Sequence, residues 1–450
     1  MARVSAEDLG TQPIGKLLIK QAVPASIGIL VMSLNIIVDT IFVGNWIGSI
    51  AIAAINVVLP VSFFIAALGM AIGIGGSSII SRALGANDKE KALKSFGNQL
   101  SLTLLLTIVL VFFGLLFVED IIPKFGGKGA IYEPAKIYYT IVLYGVPFLA
   151  LCMMGNNVIR AEGKPKFAMI AMIIPSVGNL ILDYILIYVF DFGMAGAAWA
   201  TTLSYLLCFG YILWFFMSEN SELKINLSHF NLSKKITSEI ASLGSVTLAR
   251  QAVVSIIYLF MNNILFDIGG ESSVAVFGII SRVMMFALFP VLGITQGFLP
   301  IAGFNYGARS YSRVKETINT SVLYASGLAI VIFVFLMVFT EQIVSVFTKD
   351  ATVIDQTVYA MKWVFLAVPI VSVQLIGSAY FQAIGKAIPA LLLTLSRQGF
   401  FFLPLVLILP YFYGEFGVWI SFALADFLST ILTAYFINRE VRLKLNTTSD

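Results

Sequence analysis

I-I-S-R-A-L-G-A at Ile79–Ala86 and I-A-G-F-N-Y-G-A at Ile301–Ala308 stand 222 residues apart, and Ala161-Glu162-Gly163-Lys164 meets Ala383-Ile384-Gly385-Lys386 at the same offset. Each copy closes a long apolar run and reads as part of a membrane-spanning helix. A hydrophobic unit written twice points to two similar bundles that enclose a central cavity, and rocking about a shared axis opens such a cavity to either side. That is the architecture of a transporter.

Composition agrees with a chain dissolved in lipid. It is 59% hydrophobic and 12% charged, with a mean hydropathy of +0.94, where soluble domains carry about 25% charged residues. A helix that crosses hydrocarbon needs about 20 apolar residues, and twelve such stretches recur, at 17–44, 50–80, 95–118, 136–159, 166–190, 194–217, 240–266, 272–303, 317–340, 355–384, 388–411 and 414–437. The solid runs exclude a transmembrane barrel, whose strands alternate in short dyads. The expected fold is therefore an all-α polytopic membrane protein of twelve transmembrane helices. Residues 1–217 form one six-helix lobe, 218–239 a polar linker and 240–450 a second lobe in the same orientation, related to the first by a pseudo-twofold axis along the membrane normal.

The net charge of +4 is distributed by topology. Arg3, Lys16, Arg82, Lys89, Lys91, Lys94, Arg160, Lys164, Lys166, Lys224, Lys234, Lys235, Arg309, Arg313, Lys315, Lys386, Arg439, Arg442 and Lys444 fall at the termini or in even-numbered loops. The opposite loops hold Glu119, Asp120, Asp191, Asp267, Glu271, Asp350 and Glu415. This bias sets both termini in the cytoplasm and removes any need for a nucleic-acid partner. Cys152 and Cys208 lie inside expected helices, which suits packing better than a disulfide framework. Residues 1–14 lack an apolar core followed by a small-residue cleavage site, so the first helix is expected to remain in the mature protein. Gly69, Gly73 and Gly76 recur at helical spacing, as close helix packing requires.

Charged groups at bilayer depth cost at least ~2.5–3.5 kcal/mol each on insertion scales, so each one kept there needs a partner or a task. Asp39 and Asp183 are the two in the first lobe. Asn35 precedes Asp39 by four residues and Asn179 precedes Asp183 by four, so each helix carries an amide and a carboxylate one turn apart on one face. Facing one another, these groups would bind a small cation through hard oxygen ligands or share a proton, with Thr201 and Thr202 adding hydroxyls. The plainer alternative makes each aspartate a hydrogen-bonding glue between helices. Pro24 and Pro175 precede the two acids on their own helices, and each removes a helical hydrogen bond and favours a bend. The second lobe instead carries Arg250, Arg282 and Arg397, with Asp426 as its deep acid and Gln374 among its amides.

Enzyme signatures fail. Gly10–Lys16 has the spacing of a phosphate loop, yet Leu17 replaces the required hydroxyl residue and no strand precedes it. The single histidine, His229, sits in the polar linker, away from any metal-ligating or triad partners. Neither an enzyme nor a cofactor is expected, and without a nucleotide site the energy must come from an ion gradient.

Taken in order, the two six-helix halves, the segment P-A-S-I-G-I-L-V-M-S-L-N-I-I-V-D from Pro24 to Asp39, the segment P-S-V-G-N-L-I-L-D from Pro175 to Asp183 and the repeated loops ending in G-A resemble the multidrug and toxic compound extrusion family, on its DinF-like and MepA-like side. The resemblance covers nearly all 450 residues. It implies a prokaryotic plasma-membrane antiporter, acting as a monomer among lipids, with a V-shaped pair of lobes. Such a protein expels hydrophobic, often aromatic cations in exchange for sodium ions or protons. It places the coupling site at Asp39, Asn179, Asp183 and Thr201, with Pro24 as the bend that responds to it. Another branch of the family uses acids on helices 7, 8 and 10, where this chain has Arg250, Arg282 and Gln374. A lipid-linked saccharide flippase of the same superfamily and a passive channel are the competing readings.

Overall fold

The structure, a computed structural model, describes residues 6–445; Arg3 lies outside them. Its spanning helices are α1 (Ile14–Trp46), α2 (Ser49–Gly85), α3 (Lys89–Leu116), α4 (Tyr132–Ala161), α5 (Pro165–Asp183) and α6 (Gly193–Met217). Lys234–Gly307 is helical except at Gly270, where φ is 67° and ψ −153°, which divides it into α7 before and α8 after. Then follow α9 (Tyr311–Val338) and α10, made of Ala351–Val364 and Val368–Ala383. From Ala387 the helix runs on to Gly414, whose φ of 57° separates α11 from α12, which ends at Glu440. Twelve spans result, as the apolar runs predict.

Helices α10 and α5 depart from simple rods. The pieces of α10 meet at 52° across residues 365–367. Pro369 opens the second piece, where a missing backbone N–H costs nothing, whereas within a helix it removes a hydrogen bond. Helix α5 passes without a break into a π-helical turn, Tyr184–Val189, directly after Asp183. Single wide turns of this kind cluster at functional sites.

The duplication survives in the backbone. Left-handed φ values occur at Gly48 and Gly270, at Asn87 and Arg309, and at Gly163 and Gly385, and every pair keeps the offset of the sequence repeat. At Asn87 and Arg309 the conformation persists although neither residue is glycine, so the turn between helices is imposed by the helices it joins.

The chain forms two compact units. One comprises residues 1–9 and 27–247, the other residues 10–26 and 248–450. The sequence assigns all of the first helix to the first lobe, whereas the structure divides α1 after Ser26, two residues beyond Pro24. In the second unit the early part of α1 is seated closely: a Cβ on Gly293 would lie 1.9 Å from Ser26 Oγ, and one on Gly297 3.0 Å from the Ala22 nitrogen. In the first unit the glycines of α2 do what their spacing predicts. A Cβ on Gly69 would meet the Ala150 carbonyl oxygen at 2.6 Å, and one on Gly73 the Met154 Cα at 2.9 Å, so α2 and α4 touch backbone to backbone.

The polar connection 218–239 is fastened to the first unit. Ser221 Oγ and the Glu222 N–H donate to the two carboxylate oxygens of Glu162 at 2.8 and 2.9 Å. Asn98, on α3, accepts from the Ser233 N–H at 2.7 Å and donates to the Asn231 carbonyl at 3.1 Å. Gly97 lies so near His229 that a Cβ would stand 2.1 Å from its carbonyl oxygen.

Candidate coupling site in the first unit

Three helices of the first unit bring the expected residues together. The later part of α1 carries Asn35 and Asp39 one turn apart, and α5 carries Asn179 and Asp183 with the same spacing. Both pairs meet. Asn35 Nδ2 donates to Asn179 Oδ1 at 3.2 Å, and one turn further along the side chains of Asp39 and Asp183 stand within hydrogen-bonding reach of each other. Asp183 is fully enclosed and Asn179 only 5% exposed, while Asn35 and Asp39 are half-buried.

The electrostatics follow from what surrounds these atoms. No donor among the described residues reaches either carboxylate oxygen of Asp183, and Asn35 Oδ1 is likewise buried without a partner. The Asp39 carboxyl group stands beside that of Asp183. Two ionised carboxylates so placed repel in a medium that screens poorly, and either a shared proton or a bound cation relieves the repulsion. Among the described residues there is no cluster of three or more His, Cys, Asp or Glu side chains of the kind that holds a metal ion.

Thr201 stands at one remove. Its hydroxyl meets the Tyr138 hydroxyl at 3.3 Å and donates to the Ala197 carbonyl at 3.1 Å, and Tyr138 lies within the field of both acids. Tyr205, one turn after Thr201 on α6, faces Asp39. Sequence reasoning missed both tyrosines, because a tyrosine in an apolar helix has no spacing signal to set it apart from a packing residue. Pro175 lies two turns before Asp183 within α5, and Pro24 is buried in the second unit's part of α1. Phe42, Trp46, Tyr184 and Tyr188 form an aromatic cluster beyond the acids on α1 and on the π-helical turn. Ring centroids lie 4.3 Å apart for Phe42 and Trp46 and 5.4 Å apart for Trp46 and Tyr188.

Among the described residues the second unit has no matching acid pair at this position. There Arg397 Nε donates to Asp426 Oδ1 at 2.5 Å and Nη2 to Oδ2 at 3.4 Å, a paired charge that neutralises itself. Gln374 donates to the Leu393 carbonyl at 2.9 Å, and Arg282 is exposed.

Fold and site together define a polytopic α-helical membrane protein of two repeated six-helix halves with an acid pair buried inside one of them. The MatE family model matches residues 24–185 and again 247–408, far more than half of the sequence, and the chain belongs to that family of membrane transporters. It is similar to the multidrug export protein MepA of Staphylococcus aureus strain N315, 27% identical over 422 residues that cover 93% of this chain and 92% of the relative. The MepA protein of Staphylococcus saprophyticus is 26% identical over 408 residues, covering 90% and 89%. Among solved structures, an outward-facing multidrug resistance MATE transporter of the MOP superfamily superposes with a TM-score of 0.92 at 28% identity over the full length of both chains. A MATE transporter in its bent conformation gives 0.93 at 27% identity, covering 99% of this chain and all of that one. The relatives are transporters, and the role of this chain is transport across a membrane rather than catalysis.

Proposed function

We propose that this protein is a secondary active multidrug efflux antiporter that expels hydrophobic, aromatic organic cations from the cytoplasm in exchange for sodium ions or protons. It works as a monomer in a prokaryotic plasma membrane with both termini cytoplasmic. The observation that carries the reading is the contact between Asp39 and Asp183 beside the Asn35–Asn179 bridge. The acid pair takes up its ion from outside. Neutralising the pair removes the repulsion between α1 and α5, and the strain passes along α1 toward Pro24 and into the second unit. The aromatic cluster around Trp46 suits a delocalised cation through ring-face attraction. Drug and ion then oppose one another, and reciprocity demands that each lower the other's affinity by the same factor.

The test is export of a fluorescent lipophilic cation from vesicles of the purified protein, driven separately by a sodium gradient and by a proton gradient. Uphill movement under at least one of them is expected. Equilibration that ignores both gradients defeats the proposal and leaves a channel. Movement of a lipid-linked saccharide without cation export selects the flippase.

A further inference from the structure

The chain has two cysteines, and the fold puts them side by side. Cys152 lies on α4 and Cys208 on α6; they are 3% and 2% exposed and share one apolar core with Ile159, Ala168 and Ala171. Both are free thiols. Cys152 Sγ lies against the backbone of α6 one turn before Cys208. Each S–H has a carbonyl to point at: Cys152 Sγ donates toward the Tyr205 oxygen at 3.6 Å and Cys208 Sγ toward the Ala171 oxygen at 3.1 Å. No basic side chain is among these partners, so neither thiol is activated by a neighbour. What distinguishes the pair is mutual position, with two thiols from neighbouring helices enclosed in one core at membrane depth.

We propose that Cys152 and Cys208 are a redox modification site, closed to a disulfide by apolar hydroperoxides of the kind formed from membrane lipids. In the first step one thiol attacks the distal peroxide oxygen. The O–O bond breaks, an S–O bond forms, the sulfur is oxidised to a sulfenic acid and the peroxide leaves as the alcohol with the thiol's proton. In the second step the other thiol attacks that sulfur, an S–S bond forms, and the hydroxyl leaves with the second thiol's proton as water. Two electrons pass from the sulfurs to the peroxide, and the balance needs no further reagent. Charged oxidants are excluded from this core by desolvation, whereas an uncharged hydroperoxide partitions into it. The first step is slow because no basic side chain among the thiols' partners takes up the proton. The second is fast because its nucleophile is held in the same core, so the sulfenic acid closes to a disulfide before a second peroxide can carry it further up the oxidation ladder.

The bond would tie α4, which carries Tyr138, to α6, which carries Thr201 and Tyr205. The inference is independent of the transport reading.

The experiment treats the full-length protein in lipid nanodiscs with cumene hydroperoxide, denatures it in excess maleimide and weighs the intact chain. The expected result is a mass lower by two hydrogens with no maleimide adduct, restored by dithiothreitol to a chain with two adducts. Hydrogen peroxide at equal concentration should give a smaller converted fraction. Cys208→Ser should retain a single thiol that dimedone traps as the sulfenic acid. Two maleimide adducts after treatment, or sulfinic and sulfonic acids in place of the disulfide, overturn the proposal. The mass of the unmutated protein decides the question even where the variant folds poorly.

Discussion

Asp183→Asn removes one charge and one exchangeable proton while keeping the side chain's size, at a position that is fully enclosed and faces Asp39. Under the antiport proposed above, two acids side by side would accept up to two positive charges for each monovalent drug cation released. Each cycle then carries one net charge inward. At 100 mV that charge is worth about 2.3 kcal/mol, and since about 1.4 kcal/mol is a factor of ten, the voltage alone supports a drug gradient of about fifty-fold. The variant retains one carboxyl, so any exchange left to it is one charge for one charge, and voltage does nothing. Vesicles loaded with a fluorescent cation and given a potassium–valinomycin potential should therefore lose the voltage-driven part of export, about fifty-fold at 100 mV by the same arithmetic. Thermal stability provides the second reading. Removing one of two repelling acids relieves strain, so the variant should melt no lower than the parent. Voltage-driven accumulation that persists in Asp183→Asn refutes the coupling role, and a marked fall in melting temperature with transport intact would make the acids structural glue.

Three further outcomes concern the scaffold. Burial pushes the Glu162 carboxyl up to about 7 and the Glu222 carboxylate adds to it, against the Glu222 N–H, the Ser221 hydroxyl and Lys164, which favour ionisation. The native state thus holds the proton more tightly than the unfolded chain, and the stability linked to it is full below pH ~4.5 and lost by pH ~7, about 3 kcal/mol in all. Glu162→Gln should flatten this fall, and melting curves at about pH 5 and about pH 8 that shift in parallel for variant and parent would contradict it. Gly69→Ala drives a methyl to 2.6 Å from the Ala150 carbonyl oxygen on a rigid helix, which should cost about 1–3 kcal/mol; an unchanged melting temperature in detergent would show that α2 and α4 separate freely. Asp426→Asn strands the Arg397 guanidinium in a half-dry site and should cost about 3–5 kcal/mol, most of it recovered in the double variant Arg397→Met with Asp426→Leu. A double variant as unstable as the single one would show that the pair carries net stabilisation.

The spans were legible because lipid leaves no choice: a run of apolar residues long enough to cross must be helical to satisfy its own backbone. The acid pair was legible for a related reason. A carboxylate at depth is costly, and an amide one turn before it on two helices reveals which faces are kept polar. The division of α1 after Ser26 was not legible, since Gly28, which would put a Cβ 2.7 Å from Met172 Sδ, and Gln21, packed on Gly297, look alike as small or polar breaks in one apolar run. The clasp on the connection was hidden as well. Glu162 reads as one more charge in a polar loop until Ser221 and Glu222 are seen folded back on it.

The two halves also show where duplication stops constraining the chain. Turn conformations at Gly48 and Gly270, or at Asn87 and Arg309, are retained because each joins two packed helices whose positions determine it. The residues inside the helices are free to diverge once packing volume is kept. The acid pair is thus present in one unit and replaced in the other by the self-neutralising Arg397–Asp426 pair. On the proposed coupling role, the chain needs the repeated scaffold for its motion and the ion site only once. If the Arg397–Asp426 pair were the vestige of a second ion site, the double apolar substitution that preserves folding would change the number of ions exchanged per drug; under the assignment to Asp39 and Asp183 that number stays fixed.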